Sequence, residues 1–137
     1  MTKLAQASLT KLMKQAQKAA RNSYSPYSMF RVGAALQLAD GHVVTGTNVE
    51  NVSFGMTICA ERSALVRAVA EYGPKIRIAA IAVANLNRKA SPPCGACRQM
   101  LAEFALADAP VIFPGAEGVR TMTFSEILPS GSELKLK

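Results

Sequence analysis

Residues 76–84 have the sequence IRIAAIAVA, which contains the longest apolar stretch of the chain, Ile78 to Ala84. A run of this length that is rich in β-branched residues is typical of a strand buried on both faces of a sheet. The same run is far shorter than the roughly 20 residues that a membrane-spanning helix needs. We therefore predict that residues 76–84 form the central strand of an α/β domain.

Helical spacing of apolar residues predicts four helices around this strand. Leu9, Leu12 and Ala16 recur on one helix face, and Gly73-Pro74 is a typical helix stop. The helix that ends at this stop begins at Cys59. The predicted helices are Thr2–Arg21, Cys59–Tyr72, Gly95–Leu106 and a short one at Phe124–Leu128.

Strand-length runs bounded by turn residues predict the rest of the sheet. Asp40-Gly41 favours a hairpin turn, so the strands on either side of it should pair. The order of helices and strands predicts one three-layer α/β/α sandwich over residues 1–137, with a mixed five-stranded sheet and no second domain. The predicted strands are Met29–Leu38, Val43–Asn48, Ile76–Ala84, Pro110–Phe113 and Arg120–Thr123.

The composition is that of a globular protein, with 50% hydrophobic and 18% charged residues. The net charge of +7 is uneven, because no acidic residue precedes Asp40. A basic N-terminal region suits a nucleic-acid-binding protein, but it is also typical of a solvated helix face. We favour the solvated face, because aromatic residues do not alternate with the basic ones. The N-terminus lacks the apolar core of a signal peptide, so we expect a cytoplasmic protein without membrane contact.

The chain has three cysteines, Cys59, Cys94 and Cys97. They cannot all pair with one another, and C-x-x-C spacing at a helix start presents two sulfurs on one side of the first turn. Cys59 also opens a helix, so two helix starts that meet would hold Zn²⁺ with three thiolates and leave its fourth position open. The positive helix ends would offset the net negative charge of such a site. We therefore predict a catalytic zinc site.

Glu61 lies two residues after Cys59, within reach of the open position without being a ligand. Because zinc lowers the pKa of bound water to roughly 7, Glu61 would serve first as general base and then as general acid. The alternative is an acidic residue that only complements the helix dipole. We favour catalysis, because C-x-E followed by P-C-x-x-C is the three-cysteine form of the zinc deaminase signature.

Arg62 and Arg98 each lie close in sequence to a predicted ligand. Either guanidinium would reach the sulfurs as a hydrogen-bond donor and offset the same negative charge. The alternative is that both are ordinary surface charges, so both stay candidates for contacts to the ligands.

Around these residues the chain resembles the small homotetrameric cytidine deaminases of pyrimidine salvage, over nearly its whole length. The resemblance implies a cytidine deaminase fold with one zinc ion per subunit. It also implies hydrolysis of cytidine or deoxycytidine to uridine or deoxyuridine plus ammonia. Its anchors are Tyr27–Ala35 (YSMFRVGAA), Asn48–Asn51 (NVEN), Cys59–Arg62 (CAER) and Pro93–Gln99 (PCGACRQ).

The same resemblance implies a nucleoside pocket. Phe30 would pack on the base, while Asn48 and Glu50 would bind the ribose 3′-hydroxyl, to which a carboxamide and a carboxylate offer donor and acceptor. The amide of Ala60 and the carbonyl of Pro92 would also contact the base, although serine or threonine is more usual in the position of Pro92. Without the resemblance, Phe30 is equally well a core residue and the other two a polar strand end.

Two departures from the family pattern bear on the substrate. Relatives often have an aromatic shortly after a Leu-Pro pair that stacks on the base in a neighbouring subunit, whereas none follows Leu128-Pro129 here. Phe54 stands where relatives often carry tyrosine. Since stacking contributes roughly 1–3 kcal/mol per base, we expect weaker cytidine binding or a pocket open to N4- or C5-substituted analogues.

Four alternatives remain open from the sequence. A deaminase of another aminopyrimidine nucleoside, such as blasticidin S, would use the same zinc site, and a polynucleotide editor would use the basic N-terminus. A non-catalytic zinc-binding module needs a fourth protein ligand, and none is obvious. A thiol redox protein built on Cys94 and Cys97 would leave Cys59 and Glu61 unexplained.

Overall fold

The computed structural model describes residues 6–131. The helices are α1 Gln6–Ala20, α2 Ala60–Tyr72, α3 Gly95–Leu101 and α4 Phe124–Ile127, and a 3₁₀ turn spans Phe54–Met56. The strands are β1 Val32–Leu38, β2 Val43–Thr47, β3 Ile78–Asn85, β4 Pro110–Gly115 and β5 Gly118–Thr123. Across residues 6–131, every helix is too short or too polar to cross a membrane.

The five strands form one mixed sheet in the order β2-β1-β3-β4-β5. β1 pairs antiparallel with β2 and with β3, β3 pairs parallel with β4, and β4 pairs antiparallel with β5. β3 lies in the middle of the sheet, and its residues 80–84 are buried. The predicted central strand is therefore confirmed, with its observed bounds shifted by one or two residues.

Helices cover both faces of this sheet. On one face α1 packs Leu12 and Ala16 against Ala35 of β1. On the other face Leu36, the next residue of β1, packs in one cluster with Leu65 of α2 and with residues of α3 and α4. Successive strand residues point to opposite faces, so one strand contributes to both cores. The predicted three-layer arrangement is confirmed.

Gly46 allows α2 to lie directly on β2. A Cβ atom at Gly46 would stand 2.3 Å from the backbone nitrogen of Ala64 and 2.7 Å from the carbonyl oxygen of Ala60. Both distances are far below ordinary van der Waals contact, so only glycine permits this approach. The first turn of α2, directly after Cys59, therefore packs against the sheet.

The predicted strand at Met29–Leu38 begins three residues late. Met29 has φ 60°, a left-handed conformation that strand pairing does not accommodate. Residues 29–31 therefore form a separate segment leading into β1, and this segment carries Phe30.

The predicted helix at Gly95–Leu106 ends at Leu101. Beyond it, Ile78 donates its amide to the Phe104 carbonyl at 2.9 Å, and Leu106 donates to the Ile78 carbonyl at 3.0 Å. The chain thus leaves the helix to pair with the start of β3, a long-range contact that helical spacing does not reveal. The N-terminal residues of the first predicted helix, and the absence of an aromatic over 132–137, lie outside the described residues.

Candidate active site

The three cysteines converge where two helices begin. Cys59 is the N-cap of α2, Cys94 is the N-cap of α3, and Cys97 lies in the first turn of α3. All three are free thiols. Their sulfurs lie within 4.8 Å of one another, with Sγ–Sγ distances of 3.9 Å between Cys59 and Cys94 and 3.3 Å between Cys94 and Cys97.

This sulfur cluster fits a tetrahedral zinc ion. With Zn–S bonds of about 2.3 Å, tetrahedral ligands stand roughly 3.8 Å apart, close to the spacing of these thiols. A disulfide requires sulfurs about 2.05 Å apart, so the cluster is too open for one. Within residues 6–131 the group of metal-capable side chains is limited to these three. A zinc ion held by these three sulfurs would keep a fourth position for a non-protein ligand.

Two thiols of the cluster have pKa values shifted in opposite directions. Hydrogen bonding from the Cys97 thiol, followed by donation from Arg62, lowers the pKa of Cys59 to about 5. The pKa of Cys97 is raised, first because its thiol donates to the Cys59 sulfur and then because it is buried. The metal-free site therefore holds a thiolate at neutral pH, and a divalent ion that binds all three sulfurs must release protons.

Glu61 is buried beside this cluster. It is the second residue of α2 and only 5% exposed. Burial raises the pKa of its carboxyl above the ordinary value, because a low-dielectric environment disfavours the charged form. A carboxyl whose pKa is moved toward neutrality can both accept and return a proton, as general acid–base catalysis requires.

The two arginines near the cysteines have different partners. Arg62 Nη2 lies 3.4 Å from Cys59 Sγ and 3.4 Å from the Thr57 carbonyl oxygen. Arg98 instead donates from Nε to the Pro93 carbonyl and from Nη1 to the Ile127 carbonyl, each at 2.8 Å. Arg62 thus contacts the Cys59 sulfur directly, whereas Arg98 bonds to the backbone beside Cys94.

Two of the predicted nucleoside contacts, Asn48 and Glu50, lie beside the chain that leads to Cys59. Val49 and Ile58 exchange backbone hydrogen bonds of 2.9 Å, so the strand end that carries Asn48 and Glu50 runs alongside the residue before Cys59.

Asn48 and Glu50 both bond to the chain between Tyr27 and Val32, which contains Phe30. Asn48 is buried; its Nδ2 donates to the Phe30 carbonyl at 2.8 Å and its Oδ1 accepts from the Val32 amide at 3.1 Å. Glu50 accepts from the Tyr27 and Ser28 amides at 3.0 and 3.1 Å. Hydrogen bonds from Ser28 keep the pKa of Glu50 low, so this carboxylate is an ionised acceptor.

The remaining two predicted contacts, Ala60 and Pro92, lie close in sequence to Cys59 and Cys94. Ala60 is fully buried as the first residue of α2, where a helix leaves its amide without an intrahelical acceptor. Pro92 is exposed and follows Ser91, whose amide donates to the Pro114 carbonyl at 3.0 Å.

Sequence reasoning missed two asparagines, Asn85 at the end of β3 and Asn87 two residues after it. Asn85 organises the connection that follows β3, since its Oδ1 accepts from the Asn87 and Lys89 amides at 2.9 and 3.3 Å. Asn87 reaches the segment that carries Phe30. The signal for them was Asn-Leu-Asn directly after a strand, where short amide side chains commonly bond to nearby backbone.

The comparisons with known proteins agree with this geometry. Residues 6–113 match the family model described as the cytidine and deoxycytidylate deaminase zinc-binding region, a range that includes all three cysteines and Glu61. The chain is 46% identical over 119 residues to the cytidine deaminase of Halalkalibacterium halodurans, covering 86% of this chain and 89% of that protein. It is 40% identical over 124 residues to the probable cytidine deaminase of Dictyostelium discoideum, covering 90% and 83%.

Solved structures show the same similarity. The crystal structure of cytidine deaminase from Burkholderia pseudomallei superposes with a TM-score of 0.81 at 39% identity, covering 94% of this chain and 100% of that one. Cytidine deaminase from Mycobacterium tuberculosis superposes with a TM-score of 0.79 at 36% identity, covering 92% and 98%. Identity at this level, over most of both chains, agrees with the fold and with the cysteine cluster. The chain belongs to the cytidine and deoxycytidylate deaminase family.

Proposed function

We propose that this protein is a zinc-dependent hydrolase that converts cytidine and deoxycytidine to uridine and deoxyuridine with release of ammonia. The observation that carries the proposal is the buried Glu61 beside three converging thiols, in a chain that belongs to the deaminase family. The similar proteins from Halalkalibacterium halodurans and Burkholderia pseudomallei are cytidine deaminases. This function gives a role to Glu61 and to each of the three thiols.

Cys59, Cys94 and Cys97 would hold the zinc ion. When bound, zinc supplies Lewis acidity that lowers the pKa of a bound water to about 7. The positive ends of α2 and α3, together with Arg62, offset the negative charge of the three sulfurs. Stabilised thiolates donate less charge to the metal, which preserves that Lewis acidity.

Glu61 performs the proton transfers of the reaction. It accepts a proton from the attacking water as the oxygen bonds to C4 of the ring, and it delivers that proton to N3. It then takes the proton of the new C4 hydroxyl and passes it to the exocyclic nitrogen. The C4–N bond breaks, C4=O forms, and ammonia leaves, so that water and cytidine are converted to uridine and ammonia.

The proposed nucleoside contacts come from Phe30 and from Asn48 and Glu50, which bond to the chain around it. Phe30 offers a ring to the base, and the ionised Glu50 accepts from the ribose 3′-hydroxyl. A carboxamide nitrogen carries two hydrogens, and the bond of Asn48 to the Phe30 carbonyl uses one of them. The Ala60 amide and the Pro92 carbonyl complete the proposed contacts to the base.

An exposed apolar surface supports a homo-oligomer. Val52, Phe54 and Met56 lie on the loop before α2 and are 75%, 77% and 67% exposed. Large apolar side chains that are exposed together on one loop mark an interaction site. We propose that this surface joins copies of the chain, with four subunits as in the resembling enzymes. Free thiols in the site suit the reducing cytoplasm, where pyrimidine nucleosides are salvaged.

A substrate panel tests this function. Purified protein with its zinc content measured is assayed for ammonia release from cytidine, deoxycytidine, N4- and C5-substituted cytidines and blasticidin S. Turnover of cytidine and deoxycytidine supports the proposal. Stoichiometric zinc without turnover of any compound would identify a non-catalytic zinc-binding module, and turnover of blasticidin S alone would identify the other aminopyrimidine activity.

A further inference from the structure

The side chain of Asn87 bonds to the backbone of both residues that flank Phe30. Asn87 Oδ1 accepts from the Arg31 amide at 2.9 Å, and its Nδ2 donates to the Met29 carbonyl at 2.9 Å. Leu86 adds a backbone bond of 3.0 Å from its amide to the Arg31 carbonyl. The residues after β3 therefore continue its pairing with the chain before β1, and part of that pairing is made by a side-chain amide.

The segment held in this way is strained. Met29 has φ 60°, a conformation in which the Cβ of a non-glycine residue crowds its own backbone. Such a conformation persists only where the surroundings fix it from several sides. Ser28 Oγ accepts from the Phe30 amide at 3.0 Å, and Asn48 Nδ2 donates to the Phe30 carbonyl at 2.8 Å. Asn87 supplies the bonds on either side of these.

Asn87 is itself rigidly placed. Its amide donates to Asn85 Oδ1 at 2.9 Å, and Asn85 Nδ2 donates to the Ser91 hydroxyl at 2.9 Å. Arg88, the next residue, has φ 56°, so the turn that presents Asn87 also uses a left-handed residue. Met29 and Arg88 are the two non-glycine residues with positive φ within residues 6–131, and both adjoin this contact.

We propose that Asn87 is a positioning residue that orients Phe30 and thereby sets the affinity for the nucleoside. This inference rests on the proposed packing of Phe30 on the base. Asn48 also orients Phe30, but it is a proposed ribose contact, so its removal would mix two effects. Asn87 acts on Phe30 through the backbone of Met29 and Arg31 alone. Its loss should therefore raise KM and leave the proton transfers of Glu61 intact.

The test compares Asn87→Ala and Asn87→Asp with wild type, with Phe30→Ala as reference and Asn22→Ala as a control at an exposed asparagine. We expect Asn87→Ala to raise KM for cytidine, and the inhibition constant of the product uridine, by about tenfold, with kcat changed less than about threefold. Zinc content should stay at the wild-type value. Asn22→Ala should match wild type in both constants.

Hydrogen exchange supplies a readout independent of activity. In Asn87→Ala the Arg31 amide should exchange at least about tenfold faster than in wild type, because it loses its acceptor. Asn87→Asp keeps an acceptor for Arg31 but places a carboxylate against the Met29 carbonyl. It should therefore protect the Arg31 amide and still raise KM.

The failures of the two proposals can be told apart. If Phe30→Ala raises KM while both Asn87 variants bind like wild type, the positioning role is overturned and the proposed base contact stands. If Phe30→Ala leaves KM unchanged as well, the base contact itself falls and the inference falls with it. Loss of zinc or of kcat in the Asn87 variants would also overturn it, since that would place Asn87 in support of the metal ligands.

Discussion

Arg62 Nη2 lies 3.4 Å from the sulfur of Cys59, three residues earlier at the start of the same helix. The guanidinium and the thiolate stabilise each other's charged forms, and the pKa of Arg62 is raised first by its hydrogen bond to Cys59. The same contact offsets negative charge at the proposed zinc site. It defines the role of Arg62 more closely than its position in CAER did.

Replacing Arg62 by glutamine should weaken zinc binding. The variant removes the positive charge beside Cys59, and loss of a residue that supports a metal ligand typically costs 10–100-fold in affinity. Competition with a chelator measures the change. Arg67→Gln, on the same helix but bonded to the Thr45 carbonyl at 3.1 Å, is the matched control and should retain wild-type affinity. Equal zinc affinities in the two variants would contradict the role of Arg62.

In zinc-free protein, Cys59 should remain reactive in mildly acidic solution. Its pKa is lowered to about 5, first by the Cys97 thiol and then by Arg62, so the thiolate prevails above pH 5 and is lost as the pH falls through that value. An ordinary thiol, with a pKa of about 8.5, loses reactivity tenfold per pH unit across the same range. Alkylation followed by peptide mass spectrometry at pH 6 to 8 should show a nearly constant rate at Cys59. A tenfold fall per pH unit would contradict this assignment.

Gly46→Ala should damage the site more than Gly33→Ala does, although both variants force a Cβ into helix backbone. At Gly33 the new atom would stand 2.0 Å from the Ala16 carbonyl oxygen, on the α1 face of the sheet. At Gly46 it would press on the α2 turn that follows Cys59 and contains Glu61. Overpacking should destabilise either variant by about 1–3 kcal/mol.

Thermal unfolding and kcat, measured on both glycine variants, separate stability from catalysis. A displacement near 1 Å can cost about 10²-fold in rate, so we expect a loss of at least about tenfold in kcat for Gly46→Ala alone. Equal losses of kcat at equal stability would show that the approach of α2 to β2 does not position the turn that contains Glu61.

The sequence predicted the elements that have strong local signals. The apolar run at 76–84 indicated the central strand. Apolar spacing and the stop at Gly73-Pro74 indicated a helix from Cys59 to Tyr72, and Cys59 is the N-cap of α2. The early end of α3 was not predictable, because it depends on pairing between residues 104–106 and Ile78, far away in sequence.

The site divides in the same way. The motif spacing predicted the three cysteines and Glu61 as site residues, but the partners of each side chain depend on tertiary contacts. Arg62 and Arg98 look alike in sequence, yet one donates to a sulfur and the other to two carbonyl groups. Asn87 has no motif at all, and its contact with Met29 and Arg31 spans 58 and 56 residues of sequence.

The central claim is that Glu61 moves the protons of cytidine deamination at a zinc ion held by the three cysteines. Glu61→Gln keeps the size of the buried side chain and leaves the sulfurs unchanged, so zinc should stay bound. Its turnover of cytidine, followed as ammonia released per zinc-containing subunit, is the most direct test. We predict a loss of about 10²–10⁴-fold relative to wild type. A Glu61→Gln protein with full zinc content and near wild-type turnover would contradict the account.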